Sequence, residues 1–292
     1  MNWLGAEQAR RNAAGQDRWA AFAGHREQIA ARLLACAPAP PGRLCVLGAG
    51  NSNDLELAAL GRAFAEVRLV DIDAEALSRG VSNQADADPR AVRLHGGIDL
   101  TGCWDMLGDW SPSRLPADEA IQAAIERAMA ASPPELGGPF DVAISTCLAS
   151  QLIEGAVLAL GPQHPRVLEL ILAIRTGHVR LLADLLARGG KGILVADFVS
   201  SETLPELLAP AEPDWPSLLE RIVSSHNFFH GLNPLALLSL FRGDPLLAQS
   251  TTAAELTGFW RWNQGRKTYA VCAIEFRRAE CTESGKRNTN LR

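Results

Sequence analysis

Residues 44–54, with the sequence Leu-Cys-Val-Leu-Gly-Ala-Gly-Asn-Ser-Asn-Asp, predict how this chain folds. The first four are apolar and typical of a short buried strand. Gly48 and Gly50 follow, and a helical pattern of apolar residues begins at Leu55. Glycine has no Cβ, so a ligand can lie against the bare backbone of such a turn. The segment therefore predicts a strand, a glycine turn and a helix that together bind a nucleotide-like ligand.

An acidic residue supports this interpretation. Asp71 follows the next apolar run, 67–70, at the spacing of about 20 residues that is typical of ribose-binding acids. A carboxylate at the end of a second parallel strand can accept hydrogen bonds from both hydroxyls of a ribose. The alternative is a tight turn followed by a solvated acid, with no ligand.

Short apolar runs alternate with helical patterns along the rest of the chain. Such alternation indicates β-α-β crossovers, and hence a parallel sheet with helices on both faces. Two extended runs, 254–262 and 267–277, flank the turn sequence 263–266 and predict a hairpin. The fold class is therefore α/β, with a doubly wound, mostly parallel seven-stranded sheet and an antiparallel C-terminal hairpin strand. The other predicted elements include strands at 43–47, 67–70, 91–95, 140–144 and 191–196, a helix at 18–37, and a helix at 165–188 that stops at Gly189 and Gly190.

Length and composition indicate one core with additions. The 292 residues are 47% hydrophobic and 21% charged, which is ordinary for globular proteins. We predict an N-terminal helical cap at 1–40 and a main domain at 41–277. A proline-interrupted insertion at about 200–235 is expected over the site, and a disordered tail is expected at 278–292.

Charge and targeting signals limit the partners. The net charge of −5 gives no global positive field for the phosphates of a nucleic acid. The N-terminus is polar, and no run of ~18 apolar residues follows, so we predict neither secretion nor a membrane partner. The six cysteines show no metal-ligand spacing. We therefore expect reduced thiols, no metal site and a cytoplasmic location.

The glycine turn departs from the pattern of dinucleotide-binding proteins. Such proteins carry a third glycine where Asn53 stands, because that glycine permits close packing of helix and strand beneath the pyrophosphate. Asp71 would suit the ribose of NAD, but Asn53 and the terminal hairpin disfavour it.

The motifs between 43 and 277 together resemble those of the class I, Rossmann-like S-adenosylmethionine-dependent methyltransferases. The segment 44–53 resembles the first motif of that family, 140–148 resembles the fourth, and 189–195 resembles the entry to the fifth strand. The resemblance implies S-adenosylmethionine as cofactor, with Asp71 on its ribose, Asp99 near the adenine amino group and the end of 140–148 facing the methyl acceptor. The implied cofactor-binding residues are Gly48, Ala49, Gly50, Asn51, Asp71, Ile72, Asp99, Ser145 and Thr146.

Two positions depart from that family. An acid is common where Val46 stands, and a third glycine is common where Ser52 stands. Asp54 and Asn51 are the candidates to replace the contact to the methionine amino group. The departures also fit a protein that binds the cofactor without catalysis.

Candidate acceptor residues lie in the insertion. His226 and His230, with nearby Asn and Phe residues, can orient an acceptor or act as a base near neutral pH. The alternative is a pair of surface histidines around a Phe-Phe anchor. We expect Cys147 to pack at a strand end rather than act as a nucleophile. Trp260 and Trp262 alternate along the hairpin and share one face, which favours packing over a cage for a cation.

The leading hypothesis is methyl transfer from S-adenosylmethionine to a small, uncharged or cationic molecule. The expected lid consists of the N-terminal helix and residues 200–235. A non-catalytic cofactor-binding or scaffold protein and a NAD-dependent oxidoreductase remain as alternatives. No residue pattern specifies the acceptor or the oligomeric state.

Overall fold

A seven-stranded sheet forms the centre of the computed structural model, which describes residues 2–280. The strands are β1 Arg43–Leu47, β2 Glu66–Asp71, β3 Val92–Gly96, β4 Phe140–Thr146, β5 Leu186–Ser200, β6 Thr251–Asn263 and β7 Thr268–Arg278. They lie in the order β3-β2-β1-β4-β5-β7-β6. The first five positions are parallel, whereas β7 runs antiparallel to both β5 and β6. The predicted mostly parallel sheet with a reversed C-terminal strand is confirmed.

Helices cover both faces of this sheet, as expected when crossovers connect parallel strands. The helices are α1 Trp3–Gly15, α2 Ala23–Cys36, α3 Leu57–Ala63, α4 Ala74–Ser82, α5 Trp104–Leu107, α6 Asp118–Met129, α7 Leu148–Leu160, α8 Val167–Asp184, α9 Trp215–Ser224, α10 Pro234–Gly243 and α11 Pro245–Ser250. One apolar layer packs residues of α2, α3 and α4 against the sheet, and the other packs residues of α6, α7, α8 and α10. The central strand β4 is buried on both sides, with Asp141 as its one partly exposed residue.

The N-terminal segment differs from the prediction of one helix at 18–37. The structure has two helices there, α1 and α2, and residues 16–22 connect them. The helix α1 begins after Asn2, whose side chain accepts a hydrogen bond from the backbone N–H of Gly5 at 2.9 Å. Leu4 is its one fully buried apolar side chain. Hydrophobic periodicity therefore could not reveal α1.

The boundary between α8 and β5 also differs. The predicted helix at 165–188 ends at Asp184, not at Gly189, because Leu186 already pairs with Phe140 in the sheet. Gly189 has φ +73° and lies within β5. Pairing with β4 thus overrides the helical pattern of residues 185–188.

Segment 200–235 and its neighbours contain further differences. The helix α7, which follows β4 directly, was not predicted. Segment 200–235 itself holds a short 3-10 helix, Pro205–Leu208, and α9. The backbone N–H of Phe229 donates to the carbonyl of Phe198 at 2.7 Å and attaches the segment to β5. At the other end of the domain, β7 includes Arg278, which was predicted to belong to the tail, and residues 281–292 lie outside the described part.

Candidate functional site

The glycine turn after β1 meets the end of β2 as predicted. Gly48 has φ +76° and Gly50 has φ +44°, which are left-handed conformations that favour glycine. The backbone N–H of Gly50 donates to Asp71 Oδ2 at 2.9 Å, and that of Asp73 donates to Asp71 Oδ1 at 2.9 Å. Two backbone donors therefore hold the Asp71 carboxylate in a fixed orientation.

Asp71 is 6% exposed and forms no ion pair within residues 2–280. Burial raises the pKa of its carboxyl to about 6, although the hydrogen bonds from Asp73 and Gly50 oppose this rise. A buried carboxylate without a cation is costly unless donors satisfy it. Since a carboxylate has about four acceptor sites, Asp71 can still accept hydrogen bonds from a ligand.

A cavity opens beside Asp71, at the carboxyl ends of β1 and β2. Four predicted cofactor residues line it: Gly48, Asp71, Ile72 and Asp99. The remaining walls are mostly apolar and come largely from α7 and from residues 98–104. The other lining residues are Gln8, Ile98, Leu100, Trp104, Leu148, Gln151 and Leu152.

Hydrogen bonds from neighbouring residues also hold the Asp99 carboxylate in place. Its carboxylate accepts hydrogen bonds from the backbone N–H and the hydroxyl of Thr101, both at 2.7 Å, and from the backbone N–H of Trp104 at 3.0 Å. The turn from Asp99 into α5 therefore fixes one carboxylate on the cavity wall opposite the glycine turn.

The remaining predicted cofactor residues surround the cavity without lining it. Ala49 and Asn51 belong to the glycine turn, and the Asn51 side-chain amide donates to the carbonyl of Asn12 at 2.6 Å. Ser145 Oγ is hydrogen bonded to His178 Nε2 at 2.8 Å in the buried layer next to α8. The Thr146 hydroxyl lies 3.5 Å from the carbonyl oxygen of Gly48.

The two positions that depart from the family pattern, Val46 and Ser52, differ in burial and backbone conformation. Val46 is fully buried in the core, and Ser52 adopts φ +53°, the left-handed conformation that a third glycine would take. Asp54 is 9% exposed, and burial raises the pKa of its carboxyl to about 6. Of the two replacement candidates, Asp54 thus provides a buried carboxylate and Asn51 contacts α1.

His226 and His230 are both exposed and lie between α9 and α10. Of the residues that the structure describes around the cavity, none comes from 200–235. Phe228 and Phe229 pack against the core, as the anchor alternative expects. The helix α1 borders the cavity instead, through Gln8.

Cys147 and the hairpin tryptophans take packing roles. Cys147 is 3% exposed, and burial raises the pKa of its thiol well above the usual range, so the thiol stays protonated. Trp260 and Trp262 are buried; Trp260 Nε1 donates to His25 Nδ1 at 3.0 Å, and Trp262 stacks on the His25 ring at 4.3 Å. The five cysteines within residues 2–280 are buried and unpaired.

Sequence reasoning missed Asp197, near the carboxyl end of β5. Its carboxylate is 5% exposed, accepts a hydrogen bond from Ser150 Oγ at 2.7 Å and forms no ion pair with any described residue. Burial raises its pKa to about 6. A β-bulge between Asp197 and Val199 interrupts the pairing with β7. An acid after a buried apolar strand was the signal that could have revealed it, as it revealed Asp71.

Comparisons with known proteins find similarity to solved structures only. No protein-family model and no curated protein sequence matches the chain. Three similar solved structures are a magnesium protoporphyrin IX methyltransferase from Synechocystis PCC 6803, an N-methyltransferase NodS from Bradyrhizobium japonicum WM9 and an O-methyltransferase family protein from Burkholderia thailandensis.

The structure of the Synechocystis protein contains bound S-adenosylhomocysteine (SAH). Its sequence is 15% identical to this chain, the TM-score is 0.47, and the match covers 95% of both chains. The values for NodS are 9% identity and TM-score 0.43, over 88% of this chain and 98% of that one. The Burkholderia protein is 14% identical to this chain with a TM-score of 0.48, and the match covers 95% of this chain and 62% of that one.

Within residues 2–280, no helix combines the length and the apolar character needed to cross a membrane. The chain has a Rossmann-like fold with a mostly parallel sheet in which β7 alone is reversed.

Proposed function

We propose that this chain is an S-adenosylmethionine-dependent methyltransferase that acts on a small-molecule acceptor. One observation carries the proposal: Asp71, a buried carboxylate held by two backbone N–H groups, lines a cavity beside the Gly48-Ala49-Gly50 turn. A ribose needs an acceptor for its two hydroxyls, and a glycine turn lets the attached chain lie against backbone.

The cavity residues fit the adenosine part of this cofactor. Asp71 would accept hydrogen bonds from the ribose, and Asp99 would accept one from the adenine amino group. Ile72, Ile98 and Leu148 supply apolar surface for the faces of the base. When bound, the cofactor would supply an electrophilic methyl group on a positively charged sulfur.

The acceptor would approach from the ends of β4 and β5. Asp197 and Ser150 lie there, and the Ser150 hydroxyl is within 3.2 Å of the carbonyl of the left-handed Cys147. A carboxyl group whose pKa is about 6 can take up a proton near neutral pH. We propose Asp197 Oδ1 or Oδ2 as the atom that holds the proton lost by an O–H or N–H acceptor.

Charge favours an uncharged or cationic acceptor. The net charge is −5, and three carboxylates are buried at this edge of the sheet: Asp54, Asp71 and Asp197. None of the three has an ion-pair partner among the residues that the structure describes. A polyanion such as a nucleic acid would be repelled here.

Transfer of a labelled methyl group tests the proposal. The purified chain is incubated with S-adenosylmethionine labelled in its methyl group and with a panel of small alcohols, phenols and amines. We expect label in at least one acceptor and much less label with the variant Asp71→Ala when the cofactor is below saturation. Binding of SAH without any transfer would favour the non-catalytic alternative over the proposed enzyme.

A further inference from the structure

Trp104 brings an unsatisfied hydrogen-bond donor to the wall of the cavity beside Asp71. Its side chain lines the cavity, and its indole N–H is buried with no acceptor among the residues that the structure describes. A buried donor that lacks an acceptor costs free energy, which is why a buried indole N–H usually has a partner. A ligand that supplies an acceptor at this wall would therefore bind more tightly.

Packing against α7 fixes the orientation of the Trp104 ring. A Cβ placed on Gly155 would lie 2.8 Å from Trp104 Cζ3 and 3.4 Å from Cη2, so a residue larger than glycine would overlap the ring. Both of these carbon atoms belong to the six-membered ring, whereas the N–H belongs to the five-membered ring. The N–H is therefore at the end of the indole that Gly155 does not contact.

The main chain of Trp104 places this donor next to the Asp99 carboxylate. Its backbone N–H donates to Asp99 Oδ2 at 3.0 Å, while the backbone N–H and the hydroxyl of Thr101 both donate to Oδ1. Since a carboxylate has about four acceptor sites, the free site is on Oδ2, the oxygen that Trp104 contacts. Asp99 and Trp104 thus offer a ligand one acceptor and one donor.

An amino group beside a ring nitrogen complements this pair. Adenine has an acceptor nitrogen, N1 or N7, on each side of its amino group. We propose that Trp104 determines specificity for the base: its indole N–H donates to N1 or N7 of the adenine whose amino group donates to Asp99. This inference rests on the proposed function, because it takes the cofactor and its product SAH as the ligands.

Calorimetric titration of the full wild-type chain with SAH and two analogues tests this contact without any substitution in the protein. In 1-deaza-SAH and 7-deaza-SAH, a C–H group replaces N1 or N7, and the amino group remains. We expect one of the two analogues to bind about 10-fold more weakly than SAH, because it leaves the indole N–H without an acceptor.

The variant Trp104→Phe completes a double-mutant cycle with that analogue. The substitution removes the indole N–H but keeps an aromatic ring and the backbone N–H that holds Asp99. We expect SAH to bind the variant about 10-fold more weakly than the wild type, and the analogue to bind the variant about as tightly as SAH does.

Trp215→Phe is the matched control. Its indole N–H already has an acceptor, Glu212, and Trp215 is not among the described residues that line the cavity. The affinity of this variant for SAH should stay within about twofold of the wild type.

The indole resonances give a readout other than affinity. The chain has seven tryptophans, and the signal of Trp104 in a ¹⁵N-labelled sample is the one that Trp104→Phe lacks. Saturating SAH should move this N–H proton signal downfield, as a new hydrogen bond does, and the weakly bound analogue should not. Trp262 is the internal reference, because its indole N–H is also buried without a described acceptor but lies on the other face of the sheet.

The inference is overturned if the wild-type chain binds SAH and both analogues with equal affinity. It is also overturned if Trp104→Phe binds SAH as tightly as the wild type. In both cases the proposed function stands. Absence of SAH binding to the wild type would overturn the proposed function together with the Trp104 contact.

Discussion

The two halves of the sheet's carboxyl edge hold their acidic groups differently. In the N-terminal half, at β1 to β3, backbone N–H groups orient Asp71, and backbone N–H groups together with the Thr101 hydroxyl orient Asp99. In the C-terminal half, at β5 and α7, a side-chain hydroxyl, that of Ser150, holds Asp197. Backbone donors fix a carboxylate before a ligand arrives, whereas a hydroxyl can rotate. The carboxylates of the first half are therefore held more rigidly than that of Asp197.

Loss of the Asp71 carboxylate, in the N-terminal half, should have the largest effect, and the quantity affected is the affinity for SAH. In Asp71→Ala, a ribose loses hydrogen bonds to a charged acceptor, and the backbone N–H groups of Gly50 and Asp73 lose theirs. We expect the affinity for SAH to fall on the order of 100-fold. Calorimetric titration measures this affinity. Asp71→Asn is the milder variant, and Asp109→Ala, at an exposed position, is the control. An affinity within threefold of the wild type would place the ligand elsewhere.

Substitution of Gly48 should destabilise the N-terminal half. Gly48 and Gly97 have nearly the same φ, +76° and +75°. A Cβ on Gly48 would come within 2.8 Å of Leu148 Cβ, whereas a Cβ on Gly97 would have no heavy atom within 4 Å. Gly97→Ala therefore measures the backbone strain alone, about 1 kcal/mol of unfolding free energy.

We expect Gly48→Ala to cost about 2 kcal/mol more than that control because it also overpacks the contact with α7. Urea unfolding of both variants measures the difference. Equal losses would mean that α7 does not press on the glycine turn.

The pH dependence of the free energy of unfolding tests whether the pKa of Asp197, in the C-terminal half, is raised in the folded chain. Burial raises the pKa of Asp197 from 3.8 to about 6, so the folded chain keeps a proton that the unfolded chain loses between these values. Its contribution to stability is complete below pH ~4 and declines as the pH rises through about 6.

Asp197→Asn removes this titration. Relative to the wild type, the free energy of unfolding of the variant should therefore rise by about 2 kcal/mol between pH 4 and pH 7.5. Urea unfolding at the two pH values measures it, with Asp109→Asn as the exposed control. A constant difference between variant and wild type would show that Asp197 is ionised in the folded chain throughout this range.

The smallest effect is expected in segment 200–235. His226 and His230 are exposed and do not line the cavity. Their replacement by alanine should change the unfolding free energy by less than about 0.5 kcal/mol and leave SAH affinity within about twofold. A loss of methyl transfer at unchanged affinity would assign them to the acceptor. A fivefold loss of SAH affinity would contradict the division into two halves.

The sequence was most informative where local geometry demands one residue type. The left-handed turn at Gly48 and Gly50 favours glycine, and the apolar runs of β1, β2 and β4 need burial on both faces. The fold and the position of Asp71 could therefore be predicted.

The elements that were missed depend on distant partners. The helix α1 has one buried apolar side chain, and its contacts come from residues 51 to 154. The strand β5 takes residues 186–190 from a helical pattern because β4 lies beside them. Asp197 lacks a motif, and its burial becomes visible only in the assembled sheet.

Calorimetric titration of the wild-type chain with SAH, and separately with NAD, tests the central claim most directly. The account predicts micromolar binding of SAH and no heat of binding with NAD. Binding of NAD without binding of SAH would contradict it, because the Asp71 cavity would then belong to a dinucleotide site.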